Sequence, residues 1–118
     1  MIQYTLHDIH KRPLFTAEID CDEGDSDAVK KGWAAIWAVK NGKSLEKANL
    51  HKAHLRFADL CKADLSCADL SWADLRFSDL CEADLSGADV VGAKFLGADL
   101  IGATGIDRKS DIFKGALL

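Results

Sequence analysis

A period of five dominates this sequence. Between residues 56 and 85 the chain reads RFADLCKADLSCADLSWADLRFSDLCEADL, with an Asp-Leu pair at every fifth position, six times in succession. The same period extends from residue 44 to residue 104, and from the second repeat onward Ala, or Ser at position 78, precedes the central apolar residue by two places. The central apolar residues are Leu45, Leu50, Leu55, Leu60, Leu65, Leu70, Leu75, Leu80, Leu85, Val90, Phe95 and Leu100. An internal repeat of this kind is a stronger indicator of architecture than local propensity.

Neither regular backbone structure accommodates this period. An α-helix advances by about 100° per residue, so a five-residue repeat would rotate by about 140° each time and scatter the leucines around the helix. A flat strand also fails, because an odd period sends successive leucines to opposite faces. The chain must therefore turn a corner once per repeat, so that Leu and Ala face a common axis and Asp faces solvent.

The two variable positions of each repeat indicate how many repeats form one circuit. When the eight variable residues of positions 56–75 are shifted by 20, four meet an identical residue, whereas shifts of 5 or 15 give one identity and a shift of 10 gives none. The comparison favours four repeats per coil. Because hydrogen-bonded strands lie about 4.8 Å apart, twelve repeats predict three coils with a height of about 15 Å. Residues 20 apart should then stack as ladders, with Arg56 over Arg76 and Phe57 over Phe77.

The segment before the repeats predicts a hairpin and a helix. Residues 2–9 and 13–20 alternate apolar and polar side chains around a polar HKRP break, which is typical of a β-hairpin. SDAVKKGWAAIWAVKNG follows, with Trp33 and Trp37 on one face at helical spacing. Such a pair can form a binding surface, but a helical aromatic stripe more commonly packs inward. The prediction is that this helix covers the N-terminal end of the coils through its tryptophans.

The cysteines and the charge exclude several classes of function. Four cysteines follow no CxxC spacing, so the sequence predicts free thiols in a reducing compartment, with no metal site and no cofactor. Cys61 and Cys81 are expected to stack in adjacent coils, but in-register side chains point the same way, which also favours free thiols. The net charge of -4 argues against direct binding to nucleic acid or to an anionic membrane. With no long apolar run and no signal peptide, a cytoplasmic location is expected.

The motif ADLSCADLSWADL resembles the A(D/N)LXX signature of the pentapeptide repeat family, and the resemblance covers residues 44–104. It implies a mainly β fold, a right-handed quadrilateral β-helix. The expected organisation is an N-terminal hairpin and capping helix in residues 1–42, the repeats in 43–105, and a short C-terminal helix in 106–118. The N-terminal element is similar to one that precedes such repeats in phage and prophage proteins.

The C-terminal end leaves two readings open. Ile112, Phe113 and Leu117 predict either a lid on the last coil or a homodimer contact, since some relatives of the family are joined through their C-termini. The outer positions of the last coil carry further apolar residues that something should cover, either this segment or a second subunit. They are Val91, Leu96 and Ile101.

Nothing in the sequence points to catalysis, because a convex solenoid lacks a cleft and the glycines form no phosphate-binding loop. The first hypothesis is a non-enzymatic protein-interaction module, of the kind that a phage encodes, that binds a host protein. Its candidate contact strip has the composition of binding hot spots, although corner aromatics also cover backbone in such folds. The strip consists of Arg56, Phe57, Arg76, Phe77 and Trp72.

Two alternatives remain at this stage. The best-known members of the resembled family mimic duplex DNA in shape and charge and occupy the DNA-binding groove of type II topoisomerases. Residues 46–99 carry ten acidic and six basic side chains, in keeping with such mimicry. A height of about 15 Å, however, is under half of the ~34 Å turn of B-DNA. The second alternative is a structural scaffold without regulatory activity.

Overall fold

The computed structural model describes residues 1–118 and contains four regular elements. Strand β1 spans Ile2–His7, strand β2 spans Pro13–Ile19 and helix α1 spans Asp27–Lys40. The fourth element is a 3-10 turn at Asp111–Phe113. The repeats between α1 and this turn form a β-helix solenoid of bends and single β-bridges. No helix is long and apolar enough to cross a membrane.

The hairpin is joined directly to the first repeats. β1 and β2 pair antiparallel from Ile2 opposite Ile19, with a bulge at the end of β1. Beyond the bulge Asp8 forms an antiparallel bridge with Ala48, and the Asn49 N–H donates to the His7 carbonyl at 2.9 Å. The hairpin therefore extends onto the coil instead of forming a separate unit.

Helix α1 begins at the cap Ser26, whose hydroxyl accepts from the Val29 N–H at 3.2 Å. The next residue after its C-cap is Gly42, with φ of +67°, a conformation that favours glycine at a helix end. The buried residues of α1 are small: Gly32, Ala34, Ala35 and Ala38.

The predicted role of the two tryptophans is wrong in its detail. Trp37 is half-buried and stacks on Phe15 of the hairpin, with ring centroids 5.6 Å apart, while Trp33 is 42% exposed. The helix approaches the coil through Gly32, where an added Cβ would overlap the carbonyl oxygen of His54. A helix side that lies this close to the coil fits glycine at the point of contact and alanine beside it, but not an indole ring.

The repeats pair with a register of 20 residues. Parallel bridges join Asp59 to Asp79 and Asp79 to Asp99, and the same spacing recurs along the solenoid. Between coils the Leu60 N–H donates to the Asp79 carbonyl at 2.8 Å, and the Asp79 N–H donates to the Ala58 carbonyl at 2.9 Å. This register is the one expected for four five-residue repeats per circuit.

The central leucines form the core as predicted. Every central residue from Leu45 to Leu100 is buried except Val90, which is half-buried. Alanines of α1 and residues of the hairpin join them in one cluster of 28 buried residues. The N-terminal element and the solenoid consequently share a single core, as stacked repeats require at their ends.

Most corners are held by the aspartate or asparagine of their repeat, while His54 and Lys94 occupy that position in two others. The Asp side chain accepts a hydrogen bond from the backbone N–H two residues later, as in the 2.9 Å contact from Ser71 to Asp69. The same contact occurs at Asp59, Asp64, Asp74, Asp79, Asp84, Asp89 and Asp99, and at Asn49. Such Asx turns explain why the repeat uses Asp or Asn at this position.

The C-terminal segment lies on the last coil. Phe113 is buried and packs against Phe95 with ring centroids 4.9 Å apart. The Leu117 N–H donates to the Ala98 carbonyl at 2.8 Å, although the Leu117 side chain is exposed. Ile112 is half-buried. Only one 3-10 turn forms here, which is shorter than the helix predicted from the sequence.

The outer apolar residues of the last coil remain largely exposed, although the C-terminal segment passes close to two of them. Ile112 borders a surface pocket together with Val91. Gly115 lies against the Leu96 side chain, and the Gly97 N–H donates to the Gly115 carbonyl at 2.9 Å. Val91, Leu96 and Ile101 are all exposed.

Candidate protein-interaction surface

The phenylalanines at one corner of the solenoid form an exposed stack. Phe57 and Phe77 have ring centroids 5.3 Å apart with an interplanar angle of 13°, and they are 71% and 45% exposed. The Arg56 guanidinium lies 5.5 Å from the Phe57 centroid and 5.9 Å from the Phe77 centroid, within cation–π range. We call this group, with the residues that stack at the same positions (56–57, 76–77 and 96–97), the Phe corner.

A tryptophan occupies the neighbouring corner. Trp72 precedes Phe77 by one repeat and is 60% exposed. Its ring lies over Gly92, where an added Cβ would overlap it, just as a Cβ at Gly97 would overlap the Phe77 ring. These contacts explain part of the glycine content of the last coil. We call the Phe corner, the Trp72 corner and the strands between them the aromatic face.

The strand side of the aromatic face carries a charged ladder. Parallel bridges align His54, Asp74 and Lys94 in successive coils. Arg76 is paired within this ladder, because it donates two hydrogen bonds to Asp74: Nε to Oδ1 at 2.8 Å and Nη2 to Oδ2 at 2.7 Å. These bonds are the main reason that the pKa of Asp74 is lowered and the pKa of Arg76 is raised.

The aromatic face is basic within an acidic chain. Its two corners and the strands between them carry four cations, Lys52, Arg56, Arg76 and Lys94, and one carboxylate, Asp74. Arg56 keeps no carboxylate partner and is exposed. The face can therefore offer a guanidinium beside apolar rings to an anionic group of a partner.

Sequence reasoning missed one member of this surface. Trp33 lines a pocket of about 260 Å³ together with His54 and Arg56, so the aromatic face continues onto helix α1. One sequence signal could have predicted the position of Trp33. Small residues recur three apart at positions 32, 35 and 38, and they mark the side of α1 that approaches the coil.

The backbone under the aromatic side chains is unusual for bulky residues. Phe57, Trp72 and Phe77 each have φ of +60°. A non-glycine residue pays about 1 kcal/mol or more in this left-handed region, and Gly occupies the equivalent position in the last four repeats. Neither burial nor backbone conformation requires an aromatic residue at these positions.

A Ser, His and Asp group on the Trp72 corner lacks the order of a catalytic triad. His51 Nδ1 lies 2.7 Å from the Ser71 hydroxyl, which in turn donates to Asp69. In a triad the histidine lies between the serine and the carboxylate, so that it can take up the serine proton. Here the serine occupies the middle position and acts as a link between two coils.

The prediction of free thiols at Cys61 and Cys81 is wrong, because the structure joins them in a disulfide. Their Cα atoms are 4.8 Å apart, the spacing of adjacent coils, and this distance lies within the range that a disulfide spans. The prediction assumed identical rotamers in stacked side chains. Stacked cysteines that adopt different rotamers can bring their sulfur atoms together. Cys21 and Cys67 are free.

Comparison with known proteins identifies the five-residue repeats of this chain. The family model of pentapeptide repeats matches eight copies at residues 41–66 and 68–104, more than half of the chain. A search of curated proteins finds no match. Among solved structures the chain is similar to HetL from the cyanobacterium Nostoc sp. strain PCC 7120, described as a pentapeptide repeat protein involved in regulation of heterocyst differentiation.

The similarity to HetL amounts to 31% identity over 64% of this chain and 51% of HetL, with a TM-score of 0.23. The chain thus matches about half of the length of that relative. Together with the 20-residue bridges and the buried leucines, the match to the family model identifies the architecture. This chain belongs to the pentapeptide repeat family.

Proposed function

We propose that this protein is a non-enzymatic interaction module that binds a partner protein through its aromatic face. One observation carries the proposal: Phe57 and Trp72 are exposed aromatic residues at a corner position that other repeats fill with Lys, Cys, Glu or Gly. The left-handed backbone is common to these repeats, so the exposed rings are what distinguishes this face. Aromatic residues and arginine are also the residues that most often dominate binding energy.

The charges of the face define the chemistry of the partner. Four cations and one carboxylate on the face favour a protein surface that places acidic side chains beside apolar ones. The exposed Arg56 guanidinium would pair with a partner carboxylate, while Phe57 and Phe77 would pack against its apolar side chains. With a net charge of -4 for the whole chain, nonspecific nucleic-acid binding is disfavoured.

The proposal includes a right-handed quadrilateral solenoid of about three coils. The bridges between residues 20 apart and the repeat positions from Leu45 to Leu100 support it. A homodimer through the exposed apolar residues of the last coil remains part of the proposal, because Val91 and Ile101 are largely exposed. Sedimentation of the purified chain, alone and with Ile101→Asp, tests the dimer.

Affinity capture followed by mapping tests the interaction surface. The full chain is immobilised and exposed to a lysate of the cells that produce it, and the partner protein that it retains is purified. The Kd of that partner is then measured for the unaltered chain and for the Phe57→Ala and Arg56→Ala variants. Each variant should bind at least about 10-fold more weakly, equivalent to about 1.4 kcal/mol. Matched controls lie away from the aromatic face: Ile9→Ala, in the exposed hairpin turn, for the apolar change and Lys47→Ala for the charge.

The proposal fails if the aromatic-face variants bind as tightly as the unaltered chain, or if the control variants lose as much affinity. Circular dichroism on every variant verifies that the solenoid is retained. A scaffold without a regulatory role would retain no specific partner at all.

DNA mimicry of a type II topoisomerase substrate is the competing function. It would make the protein an inhibitor of DNA supercoiling that competes with DNA and weakens as salt rises. The cations of the aromatic face argue against it, because Arg56, Arg76 and Lys94 interrupt the acidic surface that a mimic of DNA would present. Inhibition that depends on Asp64 and Asp89 but not on Phe57 would favour mimicry over the aromatic face.

A further inference from the structure

Three potential metal ligands converge one corner along from the phenylalanines. The Sγ atoms of Cys61 and Cys81 and a carboxylate oxygen of Asp79 all lie within 4.8 Å of one another, and all three residues are half-buried. They come from two adjacent coils. The 20-residue register therefore assembles a group that no local sequence spacing reveals.

The carboxylate of Asp79 is oriented before any ligand arrives. Its Oδ1 accepts from the Cys81 N–H at 3.0 Å, which fixes the side chain beside the cysteine and leaves Oδ2 for another partner. Preorientation of a ligand by a hydrogen bond to its second atom is a common feature of metal sites. Cys61 also lines an open surface pocket of about 340 Å³ with Lys43 and Asp64, so an ion can approach Cys61 from solvent.

We propose that the dithiol form of this protein binds one divalent zinc-like ion through Cys61, Cys81 and Asp79. Two thiolates and one carboxylate are ligands that zinc accepts, and a water molecule can complete a tetrahedral shell. Hard cations such as Mg²⁺ avoid thiolates, so the donor set selects zinc and related softer metals. The ion would link two coils at the position where the structure has the disulfide.

The disulfide and the metal site exclude one another. Reduction by a phosphine converts the disulfide and one water molecule into two thiols, while the phosphine leaves as its oxide. Binding of the ion then displaces the two thiol protons, so affinity should fall as pH decreases. A charged pair lies next to the site: Lys62 and Glu82, the residues that follow the two cysteines, form an exposed ion pair at 3.9 Å.

Cobalt serves as a spectroscopic probe for the site. The purified full chain, reduced with a phosphine under nitrogen, is titrated with Co²⁺ and then with Zn²⁺. We expect one ion per chain, thiolate-to-metal absorption in the near ultraviolet, and displacement of Co²⁺ by Zn²⁺. The oxidised chain should show none of this absorption.

Variants separate this site from other thiols. Cys61→Ser and Cys81→Ser should abolish the absorption, and Asp79→Asn should weaken binding by about 10-fold or more, since the amide keeps the turn contact but is a poorer ligand. Cys67→Ser and Asp89→Asn, which makes the same turn contact on another strand, are matched controls and should bind as the unaltered chain does. Zn²⁺ should also protect Cys61 and Cys81, but not Cys67, from alkylation, which tests the site without any substitution.

The proposal is overturned if the reduced chain takes up no ion at one equivalent, if Cys67→Ser abolishes binding, or if Asp79→Asn binds as tightly as the unaltered chain. Absence of alkylation protection by Zn²⁺ would overturn it equally.

Discussion

The contact between Phe77 and Gly97 makes a specific prediction about the aromatic face. Gly97 has φ of +73°, and an added Cβ would overlap the Phe77 ring. Replacing Gly97 with alanine should therefore lower the free energy of unfolding through two separate effects. Left-handed backbone costs about 1 kcal/mol for alanine, and displacing the Phe77 ring from its stack on Phe57 costs about 1 kcal/mol more. Gly97→Ala should lower the free energy of unfolding by about 2 kcal/mol.

Gly42 supplies a matched control, because it has a similar φ of +67° but no atom near the position of an added Cβ. Gly42→Ala should cost only the backbone amount, about 1 kcal/mol. Urea unfolding followed by circular dichroism gives both values. In a Phe77→Ala background the cost of Gly97→Ala should fall to that of Gly42→Ala. Equal costs for the two single variants in the unaltered background would refute the claim that the Phe77 ring rests on Gly97.

Three further predictions concern the turns, the ion pair and the disulfide. Asp99→Ala should lower the free energy of unfolding in urea by about 1 kcal/mol, because a turn N–H loses its acceptor. Asp99→Asn should change the free energy of unfolding by less than about half of that. Equal losses for the two variants would exclude the turn role. Arg76→Ala should raise the pKa of Asp74 toward its ordinary value of 3.8, measured by NMR titration. Because the folded pKa of Asp74 is lowered, its stabilisation is present above pH 3.8 and is lost as pH falls through the folded value, and this acid-side loss should shrink in the variant. An unchanged pKa would contradict the hydrogen-bonded pair. Reduction of the Cys61–Cys81 disulfide, with a sequence separation of 20, should lower stability by about 3 kcal/mol in the chain-entropy model, and a phosphine should have no such effect on Cys61→Ser. Identical urea midpoints before and after reduction of the unaltered chain would contradict it.

Much of the solenoid could be predicted because its signal is repeated. A period of five excludes a helix and a flat strand by geometry alone, and twelve copies average out local deviations such as Val90 and Phe95. The 20-residue register was also visible, since residues that stack on one another tend to be alike, as Phe57 and Phe77 are. The hairpin followed from ordinary alternation around a polar break.

The orientation of helix α1 could not be read from its hydrophobic pattern. Two faces of α1 are apolar, one with tryptophans and one with glycine and alanine, and hydrophobicity favoured the larger side chains. The structure instead places the face of glycine and alanine against the coil, because Gly32 lets the helix backbone approach the His54 carbonyl. Trp33 is therefore on the aromatic face instead of in the core.

The sequence by itself determined the five-residue corner, the buried leucines and the pairing of residues 20 apart, because each of these depends on spacing along the chain. Only the tertiary structure decided which side chains meet: the bond between Cys61 and Cys81 across two coils, the position of Asp79 beside them, and, within one coil, the pairing of Arg76 with Asp74. Rotamers and close backbone contacts set those encounters, and neither is encoded in a periodic pattern.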